Sequence, residues 1–421
     1  MQYTFSKKAN QKVEKDMKVI CQEIKKRIPN VLSIIFSGGF SRGEGAVKIE
    51  NGRVYPYNDY DILVVSREKL SKDKADKFSV EISRKLGYNG ISLFYPLKKE
   101  EQKMKENFYI DLKCSTPKEL KKLLPRLRTY ELKNSSRILY GGDLRHLIPD
   151  YNLKEIPLSE GAKLLLDRMS QMVEYYSTKG KYDKEFLIYI IQQAYAACCT
   201  SLLLLSGKYQ IGYTKNMEIF KKYYKKDFPE LSERLENLDK KIEQFTKWKL
   251  KPEKLPKNIE EEWFIARRNI LEVSKYFLGK FLNKNISNLD ELSKAISGMR
   301  KEFYSPYIRS IIKNRTNIEI GILTNLFLPL VSFLFKYKYH QRLKKFKIKK
   351  LGIFLENSPD LIIFSSLIFI IGSISEKGID REVLNKGRNL LNKAYPSGGK
   401  EWEDVSMEYA NAYVAFFLQE L

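Results

Sequence analysis

Three aspartates have the types and spacing to do chemistry. Asp59 and Asp61 stand two apart in Asn58-Asp59-Tyr60-Asp61-Ile62, and Asp111 sits in Tyr109-Ile110-Asp111-Leu112. In a β-strand, residues two apart project from one face. The pair therefore presents two carboxylates together, while Tyr60 and Ile62 turn to the other side. Like charges so placed repel unless a cation bridges them. Mg2+ takes hard oxygen ligands and shares its shell with substrate phosphates. Asp111 lies within an apolar strand that could pair with the first, giving three acids around one point. Such a trio can hold two metal ions roughly 3.5–4 Å apart, an arrangement used for in-line phosphoryl transfer.

A glycine-rich turn fits the same chemistry. Gly38-Gly39-Phe40-Ser41-Arg42-Gly43-Glu44 follows the apolar, β-branched run Val31 to Ser37. Glycines let backbone N–H groups approach phosphate oxygens, and the N-terminus of a following helical turn adds a favourable dipole. Gly38, Gly39 and Ser41 are thus expected to cradle phosphates. Arg42 could contact phosphate or pair with an acid. Glu44 could orient Arg42 or stand as a fourth acid near the metal.

The string resembles the signature of the nucleotidyltransferases of the DNA polymerase β superfamily. That signature is Gly-Ser-x-x-Arg-Gly-Glu, then Asp-x-Asp on a strand, then a later single acid. The match falls on Gly38, Arg42, Gly43, Glu44, Asp59, Asp61 and Asp111 and covers about residues 8 to 115. It departs at Gly39, where the family usually carries serine, and in the longer interval from Gly39 to Asp59. A hairpin turning at Asn51-Gly52 accounts for the extra residues. The resemblance implies an α+β fold: a polymerase β-like nucleotidyltransferase module, a mixed sheet with flanking helices, followed by an all-α region. It implies transfer of a nucleoside monophosphate from a nucleoside triphosphate such as ATP to an acceptor hydroxyl, with release of pyrophosphate. Asp59, Asp61 and Asp111 would be the catalytic and Mg2+-binding residues, and Gly38, Gly39, Ser41 and Arg42 would bind nucleotide.

The helical half offers weaker candidates. Leu202 to Ile211, followed by Gly212-Tyr213, resembles a stretch of the substrate-binding helical domains attached to such modules. That resemblance places Lys208 and Tyr213 toward the nucleotide; the residues alone read equally as a helix C-cap with a surface lysine. Arg168 is a further candidate, or a salt-bridged surface arginine. The basic run Lys336 to Lys350, interleaved with Tyr337, Tyr339 and Phe346, suits RNA or a solvated helix face.

The elements that must position these residues are legible from periodicity. Val13, Met17, Ile20, Ile24 and Ile28 form the stripe of an amphipathic helix. Val31 to Ser37, Tyr60 to Val65, Ile91 to Tyr95 and Phe108 to Lys113 read as strands, Val47 to Pro56 as a hairpin, and Leu70 to Leu86 as a helix. After Thr116 strand signals fade, with a short helix at Pro117 to Leu123 and a turn-rich segment at Leu139 to Asp150. Gly161 to Tyr176, Glu185 to Leu205 and Lys215 to Phe228 read as a helical bundle, Lys249 to Lys257 as a linker, and the rest as helical. The expected division is a catalytic domain at 1–150, a helical substrate-binding domain at 151–250 and a C-terminal helical domain at 251–421.

Composition bounds the partners. The 421 residues are 43% hydrophobic and 30% charged, enough for sizeable cores. The net charge of +25 attracts polyanions, although basic residues spread along the whole chain also solvate a lysine-rich surface. Four cysteines without C-x-x-C spacing and two histidines argue against zinc and against a disulfide framework, so a cytoplasmic setting is expected. The polar N-terminus shows no signal peptide. The apolar runs Ile320 to Phe335 and Leu361 to Ile374 fall short of the ~20 residues of a spanning helix. Buried helices are expected there, in preference to a peripheral membrane contact. Two other roles share the module: RNA-terminal transfer of the tRNA type, and a toxin–antitoxin-type regulatory or binding protein.

Overall fold

A computed structural model describes residues 2–57, 59–91, 107–252, 256–316, 321–345 and 347–418. The chain is α+β and forms two compact units. The first comprises Met1–Ile156, Gly207–Lys222 and Asp239–Leu255; the second comprises Pro157–Ser206, Tyr223–Leu238 and Pro256–Leu421. A division by role, into catalytic, substrate-binding and C-terminal parts, is a proposal that these units neither require nor forbid.

In the first unit, α1 (Lys7–Arg27) starts at Ser6, whose side chain caps the Ala9 N–H, and buries Ala9, Val13, Met17, Ile20 and Ile24. β1 (Val31–Ser37) runs into the single turn α2 (Gly38–Ser41). β2 (Val47–Glu50) and β3 (Arg53–Pro56) form the expected hairpin. Asn51 and Gly52 at its tip have φ of 47° and 77°, as a type I′ turn requires. β4 (Tyr60–Ser66), α3 (Lys72–Lys85), β5 (Asn89–Gly90), β6 (Asn107–Phe108), β7 (Ile110–Ser115), α4 (Pro117–Leu120), α5 (Leu127–Ser135) and β8 (Arg137–Gly141) follow. The strand expected at Ile91 to Tyr95 lies almost wholly outside the described residues.

Four strands make the central mixed sheet in the order β7-β4-β1-β8. β4 runs antiparallel to β1 and parallel to β7, and its register sets Asp61 opposite Ser37 on one side and Asp111 on the other. Strand alternation then divides the labour. Ile34, Phe36, Tyr60, Ile62, Val64, Ile110 and Leu112 share one core with α1 and with Ile82 of α3. Ile35 and Val65 pack with Leu120 and Ile148 on the other face, from which Asp61 and Asp111 also project. Tyr60 anchors the acid-bearing strand from below. Its ring meets Phe40 and Phe108 edge-on at 4.9 Å each, and its hydroxyl donates to Asp16 Oδ2 at 3.0 Å.

Sequence patterning misses β8. It lies at the sheet edge, partly exposed along its length, so it carries no clean alternation.

The remaining helices are α6 (Ser159–Tyr175), α7 (Lys184–Leu205), α8 (Tyr213–Asp227), α9 (Pro229–Arg234), α10 (Leu238–Leu250), α11 (Ile259–Leu282), α12 (Leu289–Gly298), α13 (Arg300–Thr316), α14 (Thr324–Lys345), α15 (Pro359–Gly372), α16 (Arg381–Ala394) and α17 (Trp402–Tyr413). A two-stranded ribbon, β9 (Ile374–Ser375) with β10 (Gly378–Ile379), interrupts a stretch expected to be helical throughout. In the second unit α6 and α11 approach closely at Gly161, where a Cβ would stand 2.8 Å from the Phe277 ring. Tyr176 stacks on Trp263 with centroids 4.0 Å apart.

Among the described residues, α7 alone is long and apolar enough to cross a membrane, and 83% of its most apolar window is buried within the protein. The run Leu361 to Ile374, mostly in α15, is likewise buried. The run Ile320 to Phe335 is not the buried helix its composition suggests: one side of α14 is open to solvent.

Removing the anchor should be costly. Tyr60→Ala is expected to lose about 3–5 kcal/mol, as a large core aromatic does. Tyr60→Phe, which loses only the hydrogen bond to Asp16, should lose about 1 kcal/mol. Urea unfolding of the two variants checks the ratio.

Candidate active site

The sheet brings the three acids together. Oxygens of Asp59, Asp61 and Asp111 all lie within 4.8 Å of one another, and each residue is partly buried. Asp59 immediately precedes β4, Asp61 is its second residue, and Asp111 is the second residue of β7. Parallel pairing in register is what places Asp61 beside Asp111.

Burial raises all three pKa values, and neighbouring carboxylates add to the rise at Asp59 and Asp61. Burial, then Asp111, moves Asp59 from 3.8 to about 6 against the opposing charges of Lys249 and Arg128. Burial, then Asp59 and Asp111, holds Asp61 well above its ordinary value. Burial also raises Asp111, which is tempered by Arg128 and by a hydrogen bond with Asp61. Lys113 Nζ lies 2.6 Å and Arg128 Nη2 3.4 Å from Asp111 Oδ2. The cluster thus gathers hard oxygen donors of the kind a divalent cation takes.

The glycine turn closes the site on the β1 side. Gly38 has φ of +74°, and a Cβ there would fall 2.0 Å from Asp61 Oδ2. Glycine is required twice over, by conformation and by the carboxylate. Gly39 is less constrained; a Cβ there would meet the Glu44 carbonyl oxygen at 3.2 Å. Ser41 is buried, and its hydroxyl donates to the carbonyls of Gly38 at 2.8 Å and Ser135 at 3.1 Å. Its side chain therefore ties α2 to α5, leaving main chain as its route to a phosphate.

Arg42 and Glu44 take up the alternatives the sequence left open. Arg42 pairs with acids: Nη1 donates to Glu131 Oε2 at 3.2 Å, and Nε stands 3.7 Å from Glu44 Oε2. Glu44 is not within the acid cluster. Its carboxylate accepts the N–H groups of Tyr213 and Thr214 at 2.9 and 3.0 Å, capping the first turn of α8. An acid there satisfies donors the helix cannot satisfy itself and complements its dipole. Glu131 also accepts from the Tyr209 hydroxyl.

Tyr213 is thereby fixed in the first unit, its ring 5.7 Å from the Arg42 guanidinium. Lys208 is partly exposed on the segment just before it. Arg168 lies in the second unit, donating to Gln171 Oε1 at 2.8 Å. Within Lys336 to Lys350, Tyr337 is exposed, Tyr339 is fully buried, and Phe346 lies outside the described residues.

Lys249 is the residue that sequence patterning passed over. Its sequence suggests the start of a linker, but α10 continues through it. It is 2% exposed, its Nζ has no hydrogen-bond partner, and it sits 3.8 Å from the Tyr213 ring centroid. Its charge reaches Asp59. The signal was present: Leu238, Ile242, Phe245 and Lys249 share one buried helical stripe. A lysine on such a stripe calls for an anion, because a buried charge is costly unless paired. Neighbouring Trp248 Nε1 is also without a hydrogen-bond partner.

Two outcomes test this geometry. An aspartate whose pKa rises on folding holds its proton more tightly when folded, so stability falls as pH climbs from 3.8 to about 6 for Asp59. In metal-free protein, Asp59→Asn should therefore gain in Tm relative to wild type across that interval and hold the gain above it. Added Mg2+ should raise Tm in wild type only. Gly38→Ala should lose about 1–2 kcal/mol to its left-handed backbone and, by displacing Asp61, should abolish the Mg2+-induced rise in Tm.

No family model matches the chain, and no curated protein matches it. Among solved structures it is similar to spectinomycin adenyltransferase AAD(9) from Enterococcus faecialis, determined with ATP and spectinomycin, at 15% identity and a TM-score of 0.37. The match covers 63% of this chain and 99% of that one. A likeness this distant carries no functional weight, and the site's own geometry has to supply it.

Proposed function

We propose that this chain is a metal-dependent nucleotidyltransferase, moving a nucleoside monophosphate from a triphosphate to an acceptor hydroxyl and releasing pyrophosphate. One observation carries it: three aspartates each offer a carboxylate oxygen within 4.8 Å of the others, beside a turn whose glycine leaves no room for a side chain. Asp59, Asp61 and Asp111 would hold Mg2+. The bound metal would neutralise phosphate charge and favour the in-line geometry of the transfer.

The chain's own groups account for the rest. Main-chain donors at Gly38 and Gly39 face the triphosphate. Lys249, whose buried ammonium has no hydrogen-bond partner, would supply positive charge to the triphosphate. In the reaction the acceptor oxygen forms a bond to the α-phosphorus as the bond from that phosphorus to the α–β bridging oxygen breaks. The bridging oxygen leaves with pyrophosphate, and the acceptor's proton passes to a carboxylate, for which Asp111 is the proposed base.

The test pairs binding with turnover. Wild type should bind ATP in a Mg2+-dependent way and release pyrophosphate once an acceptor hydroxyl is offered. Asp61→Asn should lower that release by about two orders of magnitude or more, at least the loss seen when a metal's supporting groups are removed. Equal rates for the two proteins would remove the assignment. Lys249→Met should weaken triphosphate binding by roughly 10- to 100-fold, the worth of a charged hydrogen bond. The same change should leave Tm level or raised, because it deletes a buried charge without a hydrogen-bond partner.

A further inference from the structure

Helix α14 buries one side and leaves an apolar side uncovered. Thr324, Ser332, Tyr339 and Leu343 face inward, with Tyr339 packed 5.4 Å from Phe416. The other side is open: Leu323 is 59% exposed, Leu326 74%, Leu330 56%, Phe333 55% and Tyr337 49%. These positions advance by three or four residues, so they form one continuous stripe. Leu355, 92% exposed, follows Phe354, whose ring lies 6.0 Å from Phe333 and extends the patch. A large contiguous apolar patch on a protein surface marks an interaction site.

Charge identifies what covers it. From residue 320 to residue 355 the chain has no aspartate or glutamate. The stripe runs straight into lysines: Lys338, Lys344 and Lys345 are exposed at the end of the helix, and Lys347 and Lys349 just after it. A second copy would meet this face with the same acid-free helix and another net charge of +25, so like charges would oppose pairing. Nucleic acid would find leucine and phenylalanine where phosphates need cations. A surface that is apolar in depth and anionic at its boundary fits both halves. Apolar side chains enter the acyl boundary while lysines stay among charged headgroups.

We propose that α14 is a membrane-surface helix, seating this unit on a bilayer rich in anionic phospholipid. The span-length argument concerns crossing a membrane, not lying on its surface. Full-length protein is mixed with vesicles of phosphatidylcholine alone or with phosphatidylglycerol, and sedimented. Binding is expected to the anionic vesicles, to weaken as salt rises, and to be absent on neutral ones. Leu326→Glu/Leu330→Glu alters only exposed positions, so Tm and Mg2+-dependent ATP binding should stay unchanged while vesicle affinity falls by about tenfold or more. Lys344→Glu/Lys345→Glu should lower affinity for anionic vesicles and remove part of its salt dependence. Equal binding to both vesicle types, or undiminished binding by the leucine variant with its fold intact, would overturn the proposal. So would a wild-type dimer that the leucine variant converts to monomer, or loss of RNA binding in place of vesicle binding.

Discussion

Mutual repulsion among three carboxylates is the constraint around which the first unit is organised. Left to themselves, such groups separate or take up protons. The sheet prevents the first, because parallel pairing of β4 with β7 fixes Asp61 beside Asp111. The aromatic core beneath, centred on Tyr60, resists any twist of β4 that would relieve the crowding. The second outcome is what remains, with burial its main cause: all three groups hold protons more strongly than free aspartate. Fold stability and readiness for a cation therefore pull in opposite directions at this point, a common condition of functional sites.

The segment after β1 shows how a local motif serves a distant element. Gly38 answers to Asp61, Ser41 to Ser135, and Arg42 to Glu131. Glu44 reaches furthest along the chain, to the start of α8. The acid that spacing suggested as a possible ligand is a helix cap. It fixes Tyr213, and Tyr213 in turn shelters Lys249. Two cations whose charge reaches the cluster, Arg42 and Lys249, thus lie against one aromatic ring.

Strands with both faces committed were legible in the sequence. Val31–Ser37 has the same limits in the structure, and the Asp-x-Asp spacing was enough to bring Asp59, just before β4, near Asp61 on it. The hairpin at Asn51-Gly52 was legible because its turn needs left-handed backbone that few residues adopt. What failed was whatever depends on distant partners. β8 is a strand because β1 has an open edge, not because Arg137 to Gly141 alternates. Lys249 looked like linker because its chemistry contradicts its stripe, and that contradiction was the clue. The run at Ile320 to Phe335 looked buried because composition does not say which apolar faces find a neighbour.

The chain enters the first unit, leaves it, and returns for Gly207–Lys222 and again for Asp239–Leu255. Those late segments carry Tyr213 and Lys249, whereas the acids are all in place by residue 111. During synthesis the carboxylate cluster can therefore emerge from the ribosome long before the ring and ammonium that complete its surroundings. A fragment ending near residue 150 would keep the acids and lose Glu44's partners on α8, so the cluster and its working environment are separable on the gene although they are one site in the fold.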